Sequence, residues 1–526
     1  MLDDVRGDPP GGGTARAGPH PGRTARGLRG AAIAGVLSLL LVAGTAALGP
    51  SAAVPPVGSG TPSPPWNLSG HPSPALVTGL LWAAAALGTV AVVLGLRGLR
   101  SGGSLAPRRV AAAAVAAVAL LVVVPPLGSA DHLSYAAYGR MAAQGADPYA
   151  LPPDQWQGGN DPVAGGVQPP WQSTPSIYGP VATGVMAATS IAAGPVLRRT
   201  VWFWQLVCGA AFLLVGLLLD RAARGNPGVR CRAAVLWTLN PLLLWQLVLG
   251  AHVDVVAAAL AVGGLVAGSR RPLLAGVLLG GAVGTKVPYA LFALGPLWSL
   301  RTRPRAAAVP AIVLGLLGAL AVLLPAYLLA GPHVVDQLGT ASRYVSIATP
   351  WRAISNAVDL VAGQGALRPY VTPLALALGV ALGVLLARRR LLPVARSTAT
   401  TTEPLVPPEV AAVTTAFAAG WMLTAPYALP WYAALVWAPL ALVPATFLDR
   451  ALLAQLAVLT VAYVPGLVSG LGPDVETVTL GLRRYLAPLL LAAVVVAVVR
   501  WCLARPPDGV RRSWPSGVRA ERDREQ

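Results

Sequence analysis

Long apolar stretches separated by short polar breaks fill almost the whole chain. Apolar runs of roughly 17 to 22 residues recur between Ala31 and Leu503, each able to cross about 30 Å of hydrocarbon as a helix. Trial spans fall at 31–48, 76–96, 110–127, 201–219, 233–250, 253–268, 272–285, 287–300, 307–328, 371–387, 409–425, 430–447, 451–468 and 485–503. The pattern predicts an all-α polytopic membrane protein with about fourteen transmembrane helices, in a range of twelve to fourteen. One region breaks it. Residues 129–180 form a polar island with four aspartates (Asp131, Asp147, Asp154, Asp161), many aromatic residues and prolines, and one basic residue, Arg140. Asp131 stands just beyond an apolar run that ends near Leu127, where a carboxylate needs a reason.

Composition fits this class. The chain is 55% hydrophobic and 11% charged, far from the roughly 25% charge of soluble proteins. Its Ala, Gly, Val and Arg content, with Lys286 as its single lysine, is typical of a GC-rich bacterium.

A net charge of +19 raises nucleic-acid binding, but the positions of the charges argue against it. Under the trial topology thirty of the 39 Lys and Arg lie on one side of the membrane and nine on the other. Positive charge concentrates in cytoplasmic loops, so the excess is a topology signal that also attracts anionic lipid. The basic clusters are Arg97/Arg100/Arg108/Arg109, Arg221/Arg224/Arg230/Arg232, Arg301/Arg303/Arg305 and Arg388/Arg389/Arg390. This places both termini in the cytoplasm and the island outside the plasma membrane. Segment 181–197 is then an interfacial or re-entrant helix, with Arg198 and Arg199 near the external surface, because a crossing would invert every later loop. The pair 272–300 is short enough to be two spans or one broken helix.

The predicted organisation has four parts. Residues 1–29 form a disordered basic cytoplasmic tail and 30–109 a transmembrane pair, the first run being an uncleaved signal anchor. Residues 110–503 form the membrane body, with external loops at 129–200 and 331–370, and 504–526 form a second basic tail. Cys208, Cys231 and Cys502 have no CxxC spacing, which argues against a disulfide or zinc framework.

The unusual polar groups converge on the external side. They are Asp131 with His132, Tyr135, Tyr138 and Arg140; the run from Asn240 to His252 and Asp254; Lys286; loop 331–370 with Asp336, Arg343, Tyr344, Trp351 and Arg352; Tyr427, Trp431 and Tyr432; and Arg483, Arg484 and Tyr485. Ionisable groups at membrane depth are costly and mark function by default. Each also has a plain structural role open to it. Asp131 can cap a helix beginning near His132, the aromatic residues can form an interfacial belt, Lys286 can snorkel, and His252 and Asp254 can close a turn. A carboxylate that takes a hydroxyl proton, cations that hold a departing phosphate, and aromatic platforms for sugar rings together fit glycosyl transfer from a polyprenyl phosphate sugar. The aspartates lack a compact metal-ligand motif, although Asp131, His252 and Asp254 could form one in space, so a divalent metal stays possible.

The stretch DHLSYAAYGRMAAQGADPYA, followed by STPSIYGP, resembles the first external loop of the actinobacterial polyprenyl-phosphomannose-dependent α-1,6-mannosyltransferases. NPLLLWQLVLGAHVD, GTKVPYALFALGPLW and PWYAALVWAPL follow in the same order. The resemblance implies a GT-C-like fold, with a large first extracytoplasmic catalytic loop containing short helices. It also implies an inverting transferase that moves mannose from polyprenyl phosphate mannose to a mannosylated glycolipid, extending the α-1,6-mannan of lipomannan and lipoarabinomannan. On this pattern Asp131 is the base. Tyr135, Tyr138, Gly139, Arg140, Pro148 and Tyr149 match the loop signature, and His252 and Asp254 match a His-Asn-Asp motif whose middle position here is Val253. His132, Tyr135, Tyr138, Arg140, Tyr149, Tyr178, His252, Asp254, Trp431 and Tyr432 are expected to bind substrate. Lys286, Arg343, Arg352, Arg483 and Arg484 are expected to bind the donor phosphate. The rival readings are a related transferase using arabinose or glucose, and a polytopic lipid or sugar transporter.

Overall fold

A computed structural model describes residues 21–58, 63–397, 404–466 and 471–504. Among them every regular element is helical. The first half contains α1 (Pro21–Ala47), α2 (Pro74–Arg100), α3 (Pro107–Val122), α4 (Asp131–Ala143), α5 (Pro180–Ala193), α6 (Leu197–Ala222), α7 (Pro227–Ala233) and α8 (Pro241–Leu243). Then come α9 (Asp254–Ala267), α10 (Pro272–Thr285), α11 (Leu294–Leu300), α12 (Arg305–Ala330), α13 (His333–Ala341) and α14 (Pro350–Ala362). The last group is α15 (Arg368–Leu386), α16 (Leu392–Ser397), α17 (Pro408–Thr424), α18 (Ala434–Leu440), α19 (Leu448–Tyr463), α20 (Pro473–Gly481) and α21 (Ala487–Leu503). Many start on proline, whose missing N–H costs nothing in a first turn.

Seven helices among the described residues are long and apolar enough to cross a membrane: Arg26–Ala47, Pro74–Arg100, Leu197–Ala222, Pro227–Leu249, Arg305–Ala330, Arg368–Ala395 and Pro473–Leu503. Shorter apolar helices lie at Pro180–Ala193, Asp254–Ala267, Pro272–Thr285 and Val287–Leu300. The chain is a helical membrane protein.

Several boundaries depart from expectation. The first helix begins at Pro21, so residues 21–29 are not a tail, while 1–20 and 505–526 lie outside the described residues. The predicted span 430–447 is instead a 3₁₀ turn at Pro430–Ala433 followed by the short α18, which contains Pro439. The predicted span 485–503 is the end of a helix that starts at Pro473. Arg198 is buried, its guanidinium donating to the carbonyls of Pro65 (2.8 Å) and Gly58 (2.5 Å). Its apolar setting demands those partners.

The 272–300 segment is a hairpin rather than one broken helix. Lys286 interrupts it in extended conformation (φ −155°, ψ 115°) and meets Asp254. Arg301, at its far end, reaches Glu409 at 3.0 Å, at the start of α17.

Small residues bring helix backbones together, as membrane bundles require. A Cβ on Gly276 of α10 would lie 2.0 Å from the Gly315 carbonyl oxygen of α12, and one on Gly318 only 2.2 Å from that of Leu273. The same device sets α4 on α5, since a Cβ on Gly139 would lie 2.4 Å from the Met186 carbonyl oxygen. Gly139→Ala is therefore expected to destabilise the protein by about 1–3 kcal/mol through overpacking. Thermal unfolding of the detergent-solubilised protein checks this, and an unchanged midpoint would refute it.

The two ends of the bundle differ. Arg100, Arg221, Arg224 and Arg232 line one cavity together with Pro408, so basic loops distant in sequence gather at one end. Residue Trp204 of α6 meets the turn before α9, its indole donating to the Ala251 carbonyl at 2.8 Å, whereas Ala222 lines the basic cavity. That separates the two regions by about 27 Å along α6.

Candidate active site

At the end away from the basic loops, a cavity of about 40 Å³ is lined by Asp131, Ser134, Tyr135, Tyr138, Trp171, Thr174, Ile177, Tyr178, Lys286, Tyr427, Leu429, Trp431 and Tyr432. Four segments meet there. α4 contributes one wall, the end of the polar island a second, and the Lys286 hinge and the Tyr427–Tyr432 turn the others.

The four aspartates of the island have separated roles. The Asp147 carboxylate accepts from the Tyr149 backbone N–H at 2.8 Å and pairs with His333 at 2.9 Å. Asp154 accepts from the Ser173 hydroxyl. Asp161 accepts from the N–H groups of Val163 and Ala164, both at 2.9 Å, and from Arg140 at 3.1 Å. Those three hold the loop in shape. Asp131 alone among them lines the cavity.

Asp131 is not a helix cap. It is the first residue of α4, Ala130 holds the capping position without a side-chain bond, and the Asp131 N–H donates to Ser129 Oγ at 2.9 Å. The Asp131 side chain keeps 18% of its surface accessible. Burial pushes its pKa up to about 6, helped by the nearby Asp254 carboxylate and opposed by Ser129 and Lys286.

His252 stands behind Asp131, with Nε2 3.8 Å from Asp131 Oδ2. It is presented by a tight turn in which Ala251 takes the left-handed conformation (φ +54°), uncommon for a residue with a side chain. Nδ1 lies 2.5 Å from the Gln246 carbonyl oxygen. Because a carbonyl only accepts, Nδ1 carries the proton and Nε2 presents its lone pair. The imidazole stacks on Trp431, with centroids 3.7 Å apart and 10° between planes.

Lys286 completes the polar set. Nζ donates to Asp254 Oδ1 at 2.6 Å and sits 3.4 Å from the Tyr432 ring centroid, a cation–π contact. Asp254 is further fixed through its backbone carbonyl, which accepts from the Tyr289 hydroxyl at 2.9 Å. Aromatic rings surround the cavity: Tyr135 meets Tyr178 at 4.9 Å edge to face, Tyr427 meets Tyr432 at 6.1 Å, and Tyr344 bridges Trp171 (6.3 Å) and Tyr427 (5.8 Å). The Tyr138 hydroxyl donates to the Thr174 carbonyl at 2.7 Å, tying α4 to the loop end.

The structure thus brings together Asp131, Tyr135, Tyr138, Tyr178, Lys286, Trp431 and Tyr432 in the cavity wall, with His252 and Asp254 directly behind. Other expected residues stand elsewhere. His132 is wholly buried, neither ring nitrogen has a hydrogen-bond partner, and burial holds its pKa down at about 3. Arg140 is engaged by Asp161, and the Tyr149 hydroxyl bonds Thr183 at 2.7 Å. Arg343, Arg352 and Arg484 are exposed, and Arg352 donates to the Val345 carbonyl at 3.1 Å. Arg483 is buried over Tyr463 and donates to the Ala462 carbonyl at 2.9 Å. Ser134, Trp171, Thr174 and Ile177 line the cavity without having been singled out, since an aperiodic loop gives no clue to which residues turn inward. Among the described residues no group of three His, Cys, Asp or Glu side chains is placed to hold a metal ion. Asp131 and His252 approach each other while Asp254 turns to Lys286.

Fold and site define a polytopic helical membrane protein with an acid, a lysine and stacked aromatic rings in a cavity at one end. The family model described as α-(1→6)-mannopyranosyltransferase, N-terminal domain, matches residues 32–302, and the chain belongs to that family. It is 30% identical over 154 residues to α-(1→6)-mannopyranosyltransferase B of Corynebacterium glutamicum, covering 28% of this chain and 25% of that one. It is also 30% identical over 136 residues to an α-(1→6)-mannopyranosyltransferase of Mycobacterium tuberculosis, covering 25% and 22%. The chain therefore spans about a quarter of the length of the curated relatives it matches. No solved structure matches.

Proposed function

We propose that this protein is an inverting mannosyltransferase of the bacterial plasma membrane. It moves mannose from polyprenyl phosphate mannose to a growing α-1,6-mannan of the lipomannan or lipoarabinomannan type. The observation that carries this reading is the cavity itself: the single inward-facing carboxylate of the polar island meets the only lysine of the chain inside an aromatic shell. Family membership supports the reaction class. The gathering of basic loops at the far end supports a cytoplasmic position for that end and for both termini, and an extracytoplasmic active site. Twelve to fourteen crossings, with shorter helices counted, remain the proposed topology.

In this mechanism Asp131 accepts the proton of the acceptor 6-hydroxyl as its oxygen attacks the anomeric carbon. The bond from that carbon to the phosphate oxygen breaks, polyprenyl phosphate leaves with the electron pair, and the β-linked donor yields an α linkage. The Ser129 hydroxyl orients the carboxylate, His252 packs behind it, and Lys286 supplies positive charge toward the leaving phosphate. Arg343 and Arg352 contribute only if the outer loop moves toward the cavity, and Arg483 and Arg484 only if the helix Pro473–Leu503 shifts toward it. A cavity of about 40 Å³ is smaller than a hexose, so the Tyr427 and Trp171 walls must part for a sugar.

The test is transfer in membranes of cells expressing the protein, using radiolabelled polyprenyl phosphomannose and a short α-1,6-mannoside. Labelled α-1,6 product supports the proposal. Product from a polyprenyl phosphate arabinose or glucose donor alone would replace the sugar, and lipid or sugar movement without transfer would point to a transporter.

The acid limb of the rate profile should follow the raised Asp131 pKa. A base must be deprotonated, so kcat should fall as pH drops through about 6, rather than through the usual carboxylate range near 4. A flat profile between pH 7 and 5 would contradict it.

A further inference from the structure

A second, larger cavity lies far from Asp131, at the basic end. It measures about 710 Å³ and is bounded by the end of α2 (Leu96, Leu99, Arg100), the α6–α7 connection (Arg221, Arg224), Arg232 and segments 404–408 and 442–445. Two ion pairs build its walls. Arg230 forks onto Asp220, with 2.7 and 2.9 Å contacts to Oδ1, and fixes α7 to α6. Arg232 is buried, bonds both Asp449 oxygens (2.7 and 2.5 Å) and donates to the Val443 carbonyl at 2.6 Å, fixing α7 to the segment before α19. Cys231 also accepts from the Leu105 N–H at 3.3 Å, which ties the loop after α2 to α7.

These pairs engage the carboxylates of Asp220 and Asp449. No acidic side chain lines the cavity among the described residues, while Arg100, Arg221 and Arg224 line it with exposed guanidiniums. The remaining wall is apolar, from Leu96, Leu99, Leu405, Val406 and Leu442. Guanidinium forks match phosphate oxygens in geometry and charge, and an apolar wall beside them suits the acyl region of the same molecule.

We propose that this cavity is a second binding site, taking a phosphate-bearing anion between Arg100, Arg221 and Arg224. The anion is either the headgroup of an anionic phospholipid, whose chains follow the leucine wall, or a water-soluble phosphate. It stands whether or not the transfer reaction proves correct, because it shares no residue with the Asp131 cavity.

The experiment is native mass spectrometry of the full-length protein in detergent, titrated with phosphatidylglycerol or phosphatidylcholine, with thermal unfolding in inorganic phosphate as a second arm. Arg100→Gln/Arg221→Gln/Arg224→Gln is compared with a control, Arg108→Gln/Arg388→Gln/Arg389→Gln, which removes as many exposed arginines outside the cavity. Wild type and control should bind phosphatidylglycerol on the order of tenfold or more above the cavity variant and above phosphatidylcholine. Stabilisation by inorganic phosphate alone, lost in the cavity variant only, would support the site and assign it to a soluble ligand. Equal binding by both variants, or no preference for phosphatidylglycerol over phosphatidylcholine together with no stabilisation by inorganic phosphate, would overturn it.

Discussion

Asp131→Asn is expected to lower the rate of sugar transfer by about 10²–10⁴-fold, the usual contribution of a positioned general base. The substitution keeps the shape of the side chain and its link to the Ser129 region, and removes only the ability to take a proton. Folded yield and the KM for acceptor should therefore stay near wild type. The three other aspartates of the island provide the contrast. Asp161→Asn disturbs the Arg140 pair and the turn at Val163, so it should reduce stability before it reduces the rate per folded molecule. Asp147→Asn weakens the contact with His333, whose side chain is half exposed, and exposed pairs contribute less than about 1 kcal/mol. If Asp131→Asn transferred mannose at the wild-type rate, the base would have to be another group, with His252 Nε2 as the nearest acceptor.

Much of this arrangement was legible in the sequence because membrane folding leaves few options. Apolar runs must be helical, since hydrocarbon offers backbone groups no other partner, and proline marks where many of them start. Asp131 was legible for the same reason: a carboxylate beside a span is too costly to be incidental. What periodicity could not carry is partner choice. Lys286 and Asp254 each stood out alone, yet nothing in their spacing shows that one salt-bridges the other across a hinge. Arg232 read as one charge in a basic cluster, whereas it is buried against Asp449, 217 residues away. Arg343, Arg352 and Arg484 are exposed and stand outside the cavity wall. Cationic residues at an interface look alike in sequence whether they face a site or the lipid headgroups. Trp171 and Thr174 were hidden because the island folds through turns and 3₁₀ segments, where no repeat predicts the inward side.

Lys286→Met is the second large effect expected, and it separates structure from chemistry. Removing the ammonium leaves the buried Asp254 carboxylate facing an apolar hinge with one oxygen newly unpaired and the other already without a partner. Breaking one side of a buried pair costs about 3–5 kcal/mol, because the stranded charge loses its compensation. The single variant should therefore accumulate poorly and unfold early. Adding Asp254→Asn removes the stranded charge, and the double variant should recover most of that stability, as neutral replacements of buried pairs often do. Activity should not recover with it. Among the described residues Lys286 is the one cation lining the cavity, so on the proposed mechanism a folded double variant loses charge stabilisation of the leaving phosphate and should transfer on the order of 10²–10³-fold more slowly. Thermal unfolding and transfer assays on the same purified samples decide the matter. A stable double variant with wild-type turnover would make the pair purely structural, and would move the donor phosphate toward the arginines of the 343–352 segment.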